Sequence, residues 1–151
     1  MKVALLGLLL SVVLSGVAPA APALPVVTIT IETQRGSRAF NVEMASDPQS
    51  QKQGLMYRRQ LAPDAGMLFD FQETVMLSFW MKNTILPLDI LFIRPDGTIS
   101  SIAPDTVPLS TAPVTSVEPV RAVLEINGGR ARELGIRAGD RVRAQIFHAA
   151  R

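Results

Sequence analysis

The segment between Phe69 and Ile93 places polar side chains inside an otherwise apolar stretch of the chain. Trp80, Lys82 and Asn83 are close neighbours there, and Asp89 follows in the next apolar run. Burying an ammonium, an amide or a carboxylate among apolar residues is costly unless each group is paired. These side chains therefore either pair with one another or line a binding site.

The spacing around Trp80 is typical of a binding surface. In an extended strand Ser78, Trp80 and Lys82 share one face, because successive side chains alternate. An indole beside an ammonium can stack on a flat apolar group and hold an anionic or sugar-like one. The structural alternative is that Lys82 packs its stem on Trp80 while Asn83 bonds to neighbouring backbone, since buried polar groups are usually satisfied internally.

We predict a ligand-binding cleft at this place in the fold. Its ligand would be a small molecule or an envelope polymer, and the proline-rich loop 103–118 is long enough to close over it. The predicted rim of the cleft consists of Trp80, Lys82, Asn83, Arg58 and Asp89.

Asp89 is the first of two carboxylates that keep an enzyme as the alternative class. It lies within an apolar strand-like run, where an isolated acid could serve as a base. A structural ion pair with Lys82, Arg58 or Arg59 is the simpler expectation.

Glu125 is the second carboxylate. It shares one face of its predicted strand with Arg121, which we expect to neutralise it. The enzyme alternative uses Asp89 or Glu125 together with Lys82. A third possibility is a purely structural polar cluster in an envelope interaction protein.

The composition excludes several chemistries. The chain has no cysteine, so thiol nucleophiles, cysteine-ligated zinc and disulfides are absent, and its one histidine, His148, lies near the end. Methionines could ligate copper(I), but Met44, Met67 and Met81 fall on apolar faces, where methionine fills gaps. No hydroxyl has a histidine base. We expect neither a metal nor a cofactor.

The N-terminus has the pattern of a secretory signal peptide. A positive start at Lys2 precedes the apolar run Val3–Val13, and cleavage sites follow at Ala20 or Ala23. The run is short for a membrane span of roughly 20 residues. We predict that residues 1–23 are removed, that residues 24–151 form one domain, and that it is released into the periplasm or outside the cell without a membrane span.

Removal of Lys2 would lower the basic residues from 15 to 14 against 13 acidic ones, a net charge of +1. The C-terminal third is rich in arginine, which could attract anionic polymers or lipid headgroups. Solvated strand and helix faces explain these arginines more simply. Export also argues against a nucleic-acid partner, and the sequence leaves the oligomeric state open.

Alternation of apolar and polar residues predicts a mainly β fold. Short helices are expected near Pro48–Gln53, after an Asp47 cap, and at Arg130–Leu134, ended by Gly135. With at least seven short strands, this pattern indicates a small antiparallel β-barrel-like or sandwich domain. The predicted strands are Val26–Glu32, Phe40–Met44, Met67–Phe71, Val75–Asn83, Leu88–Ile93, Thr98–Ile102, Val120–Asn127 and Arg141–Phe147.

Several motifs resemble one known family, the domain-of-unknown-function family numbered 192. The Trp-Met-Lys-Asn-Thr block is highly specific for it, and the match runs from about Val27 to Phe147. The resemblance implies a compact, mostly β, often exported prokaryotic domain and brings no biochemical activity with it. The matching segments are Gly54–Arg58, Gly66–Phe69, Phe79–Thr84, Pro87–Ile93, Leu124–Gly128, Leu134–Ile136 and Gly139–Val142.

Overall fold

The computed structural model of the protein describes residues 23–147. The predicted signal peptide lies almost wholly outside the described residues, as does His148. The helices are α1 (Pro48–Gln53) and α2 (Arg130–Leu134), and Gln145–Phe147 forms a 3₁₀ turn. The strands are β1 (Val26–Thr33), β2 (Gly36–Ala45), β3 (Ala65–Val75), β4 (Ser78–Phe79), β5 (Leu88–Ile93), β6 (Ile99–Ala103), β7 (Val114–Thr115), β8 (Val120–Asn127) and β9 (Arg141–Arg143).

Seven strands form one curled sheet in the order β6-β5-β8-β3-β2-β1-β9, and β4 pairs with β7 in a second, two-stranded sheet. This confirms the mainly β, barrel-like fold with two short helices. The prediction of an antiparallel sheet is wrong at one pair, because β2 and β3 run parallel. The connection through α1 carries the chain back to the start of β3 and so reverses the expected direction.

The curled sheet brings its two edges together at one end. The backbone N–H of Ile99 donates to the carbonyl of Asp140 at 2.8 Å, and that of Val142 donates to the carbonyl of Gly97 at 2.8 Å. These bonds join the β5–β6 turn to the start of β9. The sheet is therefore a half-barrel whose edge strands meet at this end.

The central strands are buried on both faces. The concave face holds one apolar core, which includes Phe40, Leu68 and Leu124. The convex face holds a second core, which includes Phe69 and Val123 and is covered by Leu55, just after α1, and by the segments around β4. All six residues of β5 are buried, including Asp89, and the other five are apolar, as is typical of a strand in the interior of a sheet.

Local sequence signals set the helix ends as predicted. Asp47 accepts hydrogen bonds from the N–H groups of Gln49 and Ser50, both at 3.0 Å, and Pro48 opens the helix. At the end of α2, Gly135 adopts a positive φ of 73°. The N–H of Ile136 then bonds back to the carbonyl of Ala131 at 2.8 Å.

Three predicted segments differ from the structure. Of the strand predicted over 75–83, Val75 ends β3 and only Ser78 and Phe79 form β4, while a turn occupies Lys82 and Asn83. The strand predicted over 141–147 ends at Arg143 and gives way to the 3₁₀ turn. Loop 103–118 is fixed by β7 and by backbone bonds such as Met81 N–H to the Ser110 carbonyl at 2.9 Å.

β8 was predicted to be half-buried and is buried on both sides. Its neighbours in the sheet are β5 and β3, so both of its edges are paired. Val123 and Glu125, expected on a polar face, therefore point into the convex core.

Between residues 23 and 147, no helix is long and apolar enough to cross a membrane.

Candidate functional site

Trp80 and Lys82 form the exposed edge of the candidate site. The indole of Trp80 is half exposed, and the Lys82 ammonium nitrogen lies 5.1 Å from the ring centroid. The opposite face of the segment is turned inward at Leu77 and Met81, which are buried. The burial of these residues follows the predicted division into two faces, and the Lys82 ammonium lies against Trp80, where the structural alternative placed the stem of Lys82.

A groove of about 280 Å³ opens beside Trp80. We call it the α1 groove, because α1 and the residues just after it form one wall. The β4 segment forms the other. Its lining consists of Gln51–Met56, Phe69, Phe71, Ser78, Phe79, Trp80, Thr84 and Glu125.

Aromatic rings dominate the apolar part of this lining. Phe79 meets Phe69 edge to face with 5.2 Å between ring centroids, and it meets Phe71 in the same way at 6.1 Å. Such edge-to-face pairs fix the orientation of the rings. The groove thus offers a rigid aromatic surface next to an exposed indole.

Glu125 places a carboxyl group in the lining of this aromatic groove. Its side chain is only 5% exposed, and its cross-strand neighbours are Met67 on β3 and Ile90 on β5. Within residues 23–147 its carboxyl group has no hydrogen-bond or ion-pair partner. Burial without a partner disfavours the charged form and raises the pKa of Glu125 to about 8.

The expected neutralisation of Glu125 by Arg121 is wrong. Arg121 instead pairs with Asp70, with nitrogen–oxygen distances of 3.1 and 3.3 Å. The partners separate because β8 is buried on both faces. Arg121 lies near one end of the strand and reaches a carboxylate on β3, whereas Glu125 sits in the interior.

Asp89 has a structural environment and lies apart from the groove. It is fully buried, and its carboxylate accepts backbone N–H bonds from Asp105 and Gly129 at 2.9 Å and from Ala131 at 2.7 Å. Two of these donors belong to the start of α2. Asp89 therefore caps that helix from β5, and the expected pairing with Lys82, Arg58 or Arg59 is wrong.

Arg58 is engaged elsewhere as well. Its guanidinium forms two parallel bonds of 2.6 Å to the carboxylate of Glu43, and this pairing holds the pKa of Arg58 above its usual value. Arg58 is thus not a free cation for an anionic ligand. Of the predicted rim, the structure puts Trp80 at the groove with Lys82 beside it, and it separates Arg58 and Asp89 from them.

Asn83 shapes the turn that follows Trp80. It adopts a positive φ of 58°, a conformation that asparagine tolerates better than most residues. Its carbonyl accepts from the N–H of Tyr57 at 2.8 Å, and its side-chain amide lies 3.9 Å from the sulfur of Met56. Asn83 thereby ties the β4 segment to the groove wall that contains Met56.

A second hollow lies next to Trp80. It has a volume of about 290 Å³ and is lined by Ser78, Phe79, Trp80, Thr111 and Pro113. Part of the proline-rich loop thus flanks the indole, and this loop is paired with the β4 segment through β7. In the described part of the chain, no group of three or more histidine, cysteine or acidic residues could hold a metal ion.

The sequence reasoning did not anticipate the groove or the isolation of Glu125. One signal was present in the sequence. The runs that flank β8 in the sheet, Met67–Phe69 and Leu88–Ile93, are apolar apart from Asp89, which is typical of a sheet interior. The contribution of α1 to the groove had no such signal, since its residues are ordinary polar ones.

The fold and the groove together define a small, mainly β domain with a candidate small-molecule site. The chain belongs to the DUF192 family, described as an uncharacterized ACR, whose family model matches residues 29–144. This confirms the resemblance noted in the sequence.

Two solved structures are similar to this chain. One is a protein of Sinorhizobium meliloti 1021 whose name suggests transcription regulation. It is 49% identical with a TM-score of 0.80, and the match covers 82% of this chain and 97% of that one. The other is a protein of unknown function from Novosphingobium aromaticivorans DSM 12444, which is 38% identical with a TM-score of 0.78. The match covers 86% of this chain and 100% of that one. No curated protein matches the chain.

Proposed function

We propose that the protein is a binding module that takes a small ligand in the α1 groove. One observation carries this proposal: a half-exposed indole, three phenylalanine rings and a buried glutamate line the same groove, and within residues 23–147 the carboxyl group of that glutamate has no partner. Pockets for small molecules combine an apolar, aromatic lining with a few polar groups that fix the orientation of the ligand. The volume of the groove suits a single ring with a short chain.

The energetics also support a binding role. A half-exposed tryptophan keeps a large apolar area in water, and an unpaired buried carboxyl lowers stability. Apolar residues at both places would make a more stable domain. Groups that lower stability without an internal partner tend to occur at functional sites.

A role in transcription, which the name of the Sinorhizobium meliloti protein suggests, is less consistent with the charges. Binding to nucleic acid relies on cations that are free to contact phosphates. Among the described residues, seven arginines hold carboxylates of the protein instead: Arg58, Arg94, Arg121, Arg130, Arg132, Arg141 and Arg143.

Fluorescence tests the proposal directly, because Trp80 is the only tryptophan of the chain. A ligand in the α1 groove changes the surroundings of the indole. We expect a screen of small aromatic compounds to yield ligands that shift its emission and raise the melting temperature. Trp80→Ala, which has no tryptophan emission and is therefore followed by the shift in melting temperature, should weaken their binding about tenfold or more because it loses an aromatic anchor.

Matched variants separate binding from stability. We expect Trp80→Ala and Lys82→Met to change the free energy of unfolding by less than about 1 kcal/mol, since both side chains are exposed. Thr111→Ala, which alters only the second hollow, should leave the affinity unchanged. A loss of several kcal/mol in both variants, with no ligand found, would favour the structural alternative for the cluster.

An enzyme is the second candidate, and Glu125 is the observation that favours it. A carboxyl whose pKa is raised to about 8 can exchange a proton with a bound substrate near neutral pH. Asp89 does not serve this role, because its oxygens are occupied by backbone donors. Turnover that is found in a metabolite screen and lost in Glu125→Gln would favour the enzyme over the binding module.

We also propose that the domain is exported after removal of residues 1–23. The support is the basic start, the apolar run and the small residues before Leu24. Mass spectrometry of the protein from its host should find a mature N-terminus at Ala21 or Leu24. A chain that still begins at Met1 would refute this proposal without affecting the groove.

A further inference from the structure

Among residues 23–147, Glu125 is the one acidic residue in the lining of the α1 groove, and none of these residues provides a counter-ion for it. A carboxylate removed from water needs a cation or several hydrogen-bond donors. Asp89 shows the usual solution in this same protein, with three backbone N–H groups on its oxygens. Glu125 has none of these, so its partner is either a proton or something that enters the groove.

The aromatic rings that line the groove together with Glu125 favour a positively charged ligand. The faces of Phe and Trp rings are negative and attract cations. Four such rings line the groove, from Phe69, Phe71, Phe79 and Trp80. The ammonium group of Lys82 already lies over the Trp80 ring, which shows that this indole accommodates a cation.

Among residues 23–147, no cation neutralises Glu125. The adjacent strands present Met67 and Ile90 to it, while Arg121 on its own strand is held by Asp70. The nearest elements contribute Lys52 from α1 and Lys82 after β4, and both are exposed. Their charges are screened by solvent and salt, whereas the buried carboxyl is not.

We infer that the α1 groove takes a small organic ammonium ion, whose N–H groups bond to the Glu125 carboxylate while its apolar part packs on the aromatic rings. This inference rests on the proposed binding function and names the chemical class of the ligand. In the free protein the carboxyl holds a proton at neutral pH. When the ammonium enters, that proton leaves to solvent and the ammonium takes its place, so charge in the groove stays balanced.

The exchange predicts how affinity depends on pH. The ammonium binds the ionised carboxylate, and with a pKa of about 8 this form is the minor one at neutral pH. Affinity should therefore rise with pH up to about 8 and then level off. Between about pH 6.5 and about pH 8.5 the dissociation constant should fall about 20-fold.

Isothermal titration calorimetry with three probes of similar shape tests the inference. The probes are 2-phenylethylammonium, the neutral 2-phenylethanol and the anionic 3-phenylpropionate. We expect the ammonium to bind at least about tenfold more tightly than the other two. At pH 7, titrations in buffers of different ionisation enthalpy should show the release of nearly one proton. Glu125→Gln should abolish both the preference and the proton release.

The outcomes distinguish this inference from the proposed function. If all three probes bind alike, and Glu125→Gln changes nothing, the ammonium inference is overturned while small-molecule binding stands. Preference for 3-phenylpropionate, with tighter binding at low pH, would also overturn it. If none of the probes binds, the inference fails for this class, and the proposed function fails only if the fluorescence screen also finds no ligand.

Discussion

Glu125→Gln is expected to make the protein more stable than the wild type at about pH 8 and to remove most of its loss of stability between about pH 5 and pH 8. The folded protein raises the pKa of Glu125 from 4.5 to about 8, because the carboxyl is buried without a partner. Glutamine has nearly the same shape and carries no charge. The variant therefore keeps the packing and avoids the cost of ionisation.

The direction follows from proton binding. Between the two pKa values the unfolded chain has released its Glu125 proton and the folded chain still holds it, so stability falls as the pH rises. At pH 8 this amounts to about 4 kcal/mol relative to acidic pH. Groups whose pKa is lowered by folding, such as Asp47 and Asp96, also contribute to stability. Their contribution is lost only as the pH falls below about 4, which is outside the range from about pH 5 to pH 8.

Urea unfolding at several pH values measures the effect. At about pH 5, where Glu125 is protonated, the wild type and Glu125→Gln should agree within about 1 kcal/mol. Glu73→Gln is the matched control, since Glu73 is an exposed glutamate on β3. Its stability should depend on pH in the same way as that of the wild type. If wild-type stability were flat from pH 5 to 8, Glu125 would not be the isolated acid described above.

Asp89→Ala is expected to destabilise the protein by about 4 kcal/mol or more. The change leaves three backbone N–H groups without an acceptor, that of Ala131 buried and those of Asp105 and Gly129 part-buried. A buried group that loses its partner costs about 1–3 kcal/mol. It also removes the cap of α2. Asp89→Asn keeps one acceptor oxygen, so its stability should lie between that of the wild type and that of Asp89→Ala.

Asp64→Ala is the control for this prediction. Asp64 is an exposed carboxylate paired with Arg130 at 2.7 Å, and such pairs contribute about 1 kcal/mol or less. Chemical denaturation of the three variants should give Asp89→Ala a much lower free energy of unfolding than Asp64→Ala. If Asp89→Ala lost no more stability than Asp64→Ala, the helix-capping role of Asp89 would be wrong.

Local patterns predicted much of the fold. The prediction of the β1–β2 and β5–β6 hairpins is correct, because it depends on signals that act over a few residues. These signals are the alternation of apolar and polar residues in Val26–Thr33 and the turn residues in Arg94–Thr98. The bounds of α2 and β5 also match. The parallel pairing of β2 with β3 could not be predicted this way, because it depends on where the chain returns after α1 and the loop that follows.

The site was only partly predictable for the same reason. Trp80 and Lys82 are two residues apart in the sequence, so their contact is local and could be expected, although the strand predicted there is shorter than expected. Two other interactions join segments that are distant in the sequence, and composition does not specify them. They are the ion pair of Arg58 with Glu43 and the bonds of Asp89 to the start of α2. The role of Glu125 emerges only once β8 is known to lie between β3 and β5.

The most direct test of the groove as a binding site follows the Glu125 carboxyl carbon by NMR through a pH titration, with and without 2-phenylethylammonium. The structure predicts a midpoint near pH 8 in the free protein, since the buried carboxyl has no partner. It also predicts a lower midpoint when the probe is bound. A midpoint near the ordinary value of 4.5, unmoved by the probe, would contradict the account.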